Sequence, residues 1–196
     1  MRKKLFSLLA AVLFVFIGFS LDVNAQTDLP KYGNDSIKCI RNLSLYKEFV
    51  RQGNYVDAMV PWSYCFNYCP LSTKNIYIDG VKIMSDYIDK QTDEVLKQAY
   101  IDTLLMVYSQ RITYYGQEGF VRGRLGVELL RHRPEDVKTA YEHLHFSIED
   151  RKKATEDAVG VTFMQSAVYL YKAGEIEKME LVDNFFMASK YFKERL

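Results

Sequence analysis

Apolar residues recur every three to four positions through most of this chain, and seldom every two. That period is helical. Ile37, Ile40, Leu43, Leu45, Phe49 and Val50 form a broad stripe that predicts a first helix over residues 36–52. Gly53-Asn54 reads as a turn. A second helix, residues 55–69, stops at Pro70, whose ring cannot continue it. Ser72 suits the cap of a third helix over residues 73–90. Thr92, Asp93 and Glu94 open a long fourth over 93–115, with acids where the helix dipole favours them. Leu96, Ala99, Tyr100, Thr103, Val107 and Tyr114 share one face of it. Gly116 breaks that helix, and a fifth covers 119–132. Pro134, beside Glu135 and Asp136, opens a sixth that reaches residue 152. The seventh spans 155–173, and Gly174 turns into an eighth from residue 175 onward. The β-prone runs Ile76-Tyr77-Ile78 and Val161-Thr162-Phe163 lie inside longer helical patterns. The expectation is an all-α protein of about eight helices, paired by short turns into antiparallel hairpins.

The start of the chain follows a different rule. Arg2, Lys3 and Lys4 precede 17 uncharged, mostly apolar residues, 5–21. Val23-Asn24-Ala25 then offers small residues for a signal peptidase. Residues 1–25 therefore read as a signal peptide cut after Ala25. The other reading is an uncleaved anchor, although the run falls short of the about 20 residues of a membrane span. Residues 26–35, with Pro30 and Gly33, read as an extended lead-in, and residues 36–196 as one helical domain. No second apolar run is long enough to span a membrane, so no transmembrane segment is expected after cleavage. The last residues, Tyr191 to Leu196, still follow the apolar period. That leaves two expectations: an array that continues beyond residue 196, or a terminal helix face that docks on a partner.

Removal of the signal takes away three cations and one acid, leaving 23 Lys plus Arg against 24 Asp plus Glu. That balance argues against nucleic acid as a partner. Cys39, Cys65 and Cys69 are an odd set, so at least one thiol stays unpaired within the chain. Cys39 lies near the start of the first helix, which an antiparallel hairpin brings beside Cys69. A Cys39–Cys69 disulfide with Cys65 buried and free is one expectation. Three reduced core thiols are the other.

Gly53, Tyr55, Ala58, Trp62, Cys65 and Pro70 have a particular spacing. A small turn residue is followed by an aromatic, an alanine, a second aromatic, a small residue and a proline. With Leu45 and Phe49 upstream, this segment resembles a tetratricopeptide repeat, a helix–turn–helix unit of about 34 residues. Small Ala58 lets the two helices approach, and Tyr55 and Trp62 fill the space beside it. Setting one repeat at Cys39 places the next at Thr73, with Gly80 and Ile83 at a small and an apolar position. Two looser units pair residues 121–131 with 134–152, through Ala140 and Leu144, and 161–172 with 175–191, through Ala167. The run 37–88 is also similar to exported tetratricopeptide proteins of the Bacteroidota. The resemblance implies hairpins stacked as a right-handed α-solenoid. It implies a periplasmic or outer-membrane-associated scaffold with a protein or peptide partner.

No catalytic or cofactor fingerprint accompanies this pattern. His143 and His145 are two apart and so on different helix faces, and His132 stands alone, which does not match metal-ligand spacing. Gly123-Arg124-Leu125-Gly126 is too short to cradle a phosphate and suits close helix packing. In the resembling fold the first helix of each hairpin lines a concave groove. The corresponding positions are Lys47, Arg51, Lys74, Tyr77, Val81, Arg122 and Tyr171. Such a basic, aromatic-bearing groove suits an acidic or extended peptide. The same residues also fit an ordinary solvated surface. The dicarboxylate clamp of chaperone-binding members is not matched, because Leu43 and Ile78 stand where it needs polar groups.

Overall fold

The computed structural model describes residues 29–193. Among them lie α1 (Ser36–Arg51), α2 (Tyr55–Tyr68), α3 (Asn75–Lys90), α4 (Glu94–Tyr115), α5 (Glu118–His132), α6 (Val137–Arg151), α7 (Asp157–Lys172) and α8 (Lys178–Lys193). Two short 3-10 turns, Pro134–Asp136 and Lys152–Ala154, flank α6, and the described residues contain no strand. The signal-peptide reading and the reading of the last three residues lie outside the described residues. No described helix is long and apolar enough to cross a membrane.

Local chemistry sets the helix ends. Asp35 accepts a hydrogen bond from the Lys38 N–H at 2.9 Å, and Asp93 one from Leu96 at 3.0 Å. Asn54 accepts from Asp57 at 3.3 Å. Each satisfies one orphan donor of a first turn. Gly53 takes φ +70°, which turns the chain so that the Asn54 N–H reaches the Phe49 carbonyl at 2.9 Å and closes α1. Ser72 does not cap α3 as expected. Its hydroxyl donates to the Cys69 carbonyl at 2.7 Å, and α3 opens three residues later.

Each helix packs on the next along the chain, and α5 packs also on α7. Two apolar clusters result. The first runs from Cys39 to Leu125 through α1–α5, and the second from Leu129 to Ala188 through α5–α8. In α1 the buried line is Cys39, Leu43 and Tyr46. Leu45, read as a packing residue, is 40 % exposed, and Ile37 and Ile40 face outward with it. Tyr46 takes the inward place because it continues the line of Cys39 and Leu43 at helical spacing. Of the remaining motif residues Ala58, Trp62, Cys65 and Pro70 are buried, Phe49 and Tyr55 half-buried, and Gly53 is exposed in the turn. The buried face of α4 is Ile101, Leu104, Val107, Tyr108 and Arg111, rotated from the expected one. Apolar residues surround α4 on several sides, so its sequence does not single out a face.

Trp62 joins α2 to α3. Its ring stacks on Phe66 with centroids 5.1 Å apart, and its Nε1 donates to the Ile76 carbonyl at 2.8 Å. Gly80 lies directly against the indole. A Cβ there would stand 2.7 Å from Cζ2. Gly126 plays the same part in α5, where a Cβ would meet Leu144 of α6 at 2.6 Å. Gly160, 34 residues later in the chain, likewise abuts Phe192 of α8.

Candidate functional site

The seven groove positions lie on α1, at and within α3, on α5 and on α7. Lys47 and Arg51 are exposed on α1, and Arg51 is held by Glu48 through two contacts of 3.1 and 2.6 Å. Lys74 precedes α3 and Val81 lies within it, both half-buried. Tyr171 is exposed near the end of α7. Tyr77 is not a groove residue, being 0 % exposed. Its ring meets Phe66 and Tyr115 edge-on, and its hydroxyl donates to the Pro70 carbonyl at 3.1 Å. α3 is covered by α2 on one side and α4 on another, so its buried face is wide enough to take in Tyr77 as well as Ile76. Among the described residues, no side-chain hydrogen bond, ion pair or ring contact joins any two of the seven.

Arg122 lines a cleft of about 410 Å³ with Tyr141, Glu142, His145, Phe146, Glu149 and Glu180. Its guanidinium lies over the Phe146 ring at 4.1 Å, and its Nε donates to His143 Nδ1 at 3.0 Å. Burial, and then the charge of Arg122, hold His143 below the usual imidazole range. The guanidinium can only donate, so Nδ1 of His143 is the acceptor of that bond. The nearby groups are already engaged with one another. Glu118 pairs with Arg122 at 3.3 Å, Glu149 with His145 at 3.4 Å, and the Tyr141 hydroxyl donates to Glu180 at 3.3 Å. Among the described residues no group of three His, Cys, Asp or Glu side chains is placed to hold a metal ion.

Cys39 and Cys69 form a disulfide, with Sγ–Sγ 2.14 Å and Cα–Cα 6.3 Å. Cys65 is free and buried, and burial pushes its thiol up to about 12. A protonated thiol in such a place is a weak nucleophile.

An open apolar cleft lies at the other end of the chain. α7 and α8 enclose a cleft of about 670 Å³ lined by Val161, Met164, Val168, Phe185, Ser189 and Phe192, among others. Val161 is 59 % exposed and Phe185 55 %. Farther round α8, Met179, Val182 and Phe186 also face solvent. Reasoning from the groove of the resembling fold missed this cleft. A signal for it was present: Val161, Met164 and Val168 recur at helical spacing, as do Phe185, Ser189 and Phe192, on two helices joined by one turn. No protein-family model, characterised protein or solved structure matches the chain.

Proposed function

We propose that this chain is an exported, non-catalytic helical-repeat protein that works in the cell envelope by holding proteins together. The observation that carries this reading is the solvent-facing apolar surface of the α7–α8 hairpin. Contiguous exposed patches of this kind mark interaction sites. Val161, Tyr169, Met179, Phe185 and Phe186 are each more than half exposed there. The tetratricopeptide-like reading has independent support in the paired helices and in the 34-residue interval between Gly126 and Gly160, each set against the second helix of its own hairpin. A right-handed solenoid is the stacking we assign to them.

Two experiments test the proposal. N-terminal sequencing of the processed protein is expected to begin at Gln26, and an intact N-terminus would remove the cleaved-signal reading. Chemical cross-linking in intact cells, followed by purification of the full chain, is expected to recover it bound to protein at fixed stoichiometry. Recovery of the chain alone at every cross-linker dose would refute the binding role. Exposed Phe185 and Phe186 on α8 favour one variant of the reading, a permanent structural subunit docked through that helix. A permanent subunit would never be recovered free of its assembly.

A further inference from the structure

The molecule itself shows what the open face of one of its hairpins accepts. α5 and α6 form a hairpin, and α7 lies on both. α7 makes that contact with an aliphatic and an aromatic side chain one turn apart. Val159 fits beside the bare backbone of Gly123. Phe163 stacks on Tyr141, with centroids 5.3 Å apart, and tilts against His145 at 5.8 Å. Both side chains are buried.

The α7–α8 hairpin presents the corresponding face without a described helix upon it. Along α7 the cleft runs from Asp157 to Tyr169, which is about 18 Å, or just over three helical turns. Its walls are helices, whose backbone groups are already paired, so it offers no edge on which a strand could add. A side-by-side helix is the occupant such walls take. One helix of this same chain exposes the required pattern. Val182 and Phe186 stand four apart on α8, aliphatic then aromatic, as Val159 and Phe163 do on α7. They are solvent-facing, and Phe186 is 64 % exposed. At 100° per residue they follow Phe185 and Ser189 round the helix, so the cleft and this ridge form one continuous surface.

We infer that the occupant of the α7–α8 cleft is α8 of a second copy of the chain. A two-fold axis would set the Val182–Phe186 ridge of each copy into the cleft of the other, giving a four-helix arrangement of two α7 and two α8. Self-complementary ridge and cleft on one patch are what a two-fold contact needs. The exposed Val161, Tyr169, Met179, Val182, Phe185 and Phe186 hold on the order of 600 Å² per copy, counting aromatic side chains at about 200 Å² when whole. A stable dimer uses about 800 Å² per partner, and the backbone and polar rim make up the difference. The inference rests on the protein-binding reading and names its first partner.

Sedimentation velocity on the purified full-length gene product, from about 1 to 100 µM, tests it. A dimer is expected. Val161→Glu and Phe186→Glu alter exposed side chains on the two complementary parts. Each is expected to raise the dimer Kd at least about 100-fold with far-UV circular dichroism unchanged. A mixture of Val161→Cys and Phe186→Cys proteins is expected to cross-link between copies on mild oxidation, which keeps the test open should either Glu variant fold poorly. A monomer at the highest concentration overturns the inference, and so does a dimer that both Glu variants leave intact. A monomer that still captures a different protein in cells, and loses it on Val161→Glu, overturns self-association while the binding role stands.

Discussion

Gly80→Ala tests the joint between α2 and α3 by adding one methyl group. In open space that exchange within a helix stabilises by about 1 kcal/mol through helix propensity. Here the new Cβ would stand 2.7 Å from Trp62 Cζ2 and 3.0 Å from Cε2 and Nε1. These atoms belong to a rigid ring. The ring has little freedom to retreat, because it is 2 % exposed, stacked on Phe66 and tied to the Ile76 carbonyl. Forcing it aside costs about 1–3 kcal/mol in strain. The same movement weakens a buried hydrogen bond with a net contribution of about 1 kcal/mol. Subtracting the propensity gain leaves a loss of about 2 kcal/mol. Trp62→Phe removes the crowded edge of the indole. In that background Gly80→Ala should be close to neutral, so the double variant is expected to exceed additivity by about 1–2 kcal/mol. Urea unfolding followed by far-UV circular dichroism reads all four proteins. Fluorescence cannot, since Trp62 is the sole tryptophan. A Gly80→Ala protein as stable as its parent would refute the packing argument, because it would show that the indole has room.

Three further outcomes are expected. The Cys39–Cys69 bridge spans a sequence separation of 30, which corresponds to about 3–4 kcal/mol of chain-entropy stabilisation, so the Cys39→Ser/Cys69→Ser pair should lose that much in urea unfolding. A loss below about 1 kcal/mol would contradict the loop-closure account. Cys65, fully buried with its thiol raised to about 12, should resist iodoacetamide in the native protein and react once urea is added, and prompt native alkylation would refute that burial. Burial and Arg122 depress the His143 pKa, and burial that of His132, so stability should be full above the unfolded value of about 6.5 and fall as pH drops through it towards the folded values. His143→Gln, which keeps an acceptor for Arg122, should reduce that slope in urea titrations at different pH, and an identical slope would count against the assignment.

The existence and order of the eight described helices were legible because the apolar period is sustained and glycine, proline or a polar run punctuates it. Exact faces were less so. Leu45 and Tyr46 are adjacent and both suited to a core, and only the line through Cys39 and Leu43 decides between them. Pro61 lies inside α2, where propensity alone would break the helix, yet α2 continues through it. The burial of Ala58, Trp62, Cys65 and Phe66 along that helix outweighs one missing N–H. The groove was the least legible feature. Its positions came from a pattern of whole repeats, whereas Tyr77 answers to what covers α3, which local sequence does not state. The α7–α8 cleft was hidden for the opposite reason. An apolar residue reads as core until the structure shows that no described helix covers it.

The two clusters are held together unequally, and that inequality bears on how the α7–α8 end works. The first has the disulfide, the Trp62 joint and most of the fully buried large side chains. In the second, α8 buries only Asn184 and Ala188. Met187, Tyr191 and Phe192 pack on that cluster half-buried, and the other ties of α8 are polar. Asn184 Nδ2 donates to the Tyr141 hydroxyl at 2.9 Å, and that hydroxyl in turn donates to Glu180. Such bonds orient α8 over α6, but a helix of 16 residues with so narrow a buried face is marginal by its own burial. Apolar contact on its outer face would supply what the interior does not. A partner that binds only the folded hairpin adds its binding free energy to the stability of α8. Association through the last hairpin would then raise the stability of α8, while the helix itself forms in the single chain. On the proposed binding role, the exposed Phe185 and Phe186 would be the groups through which an assembly stabilises α8.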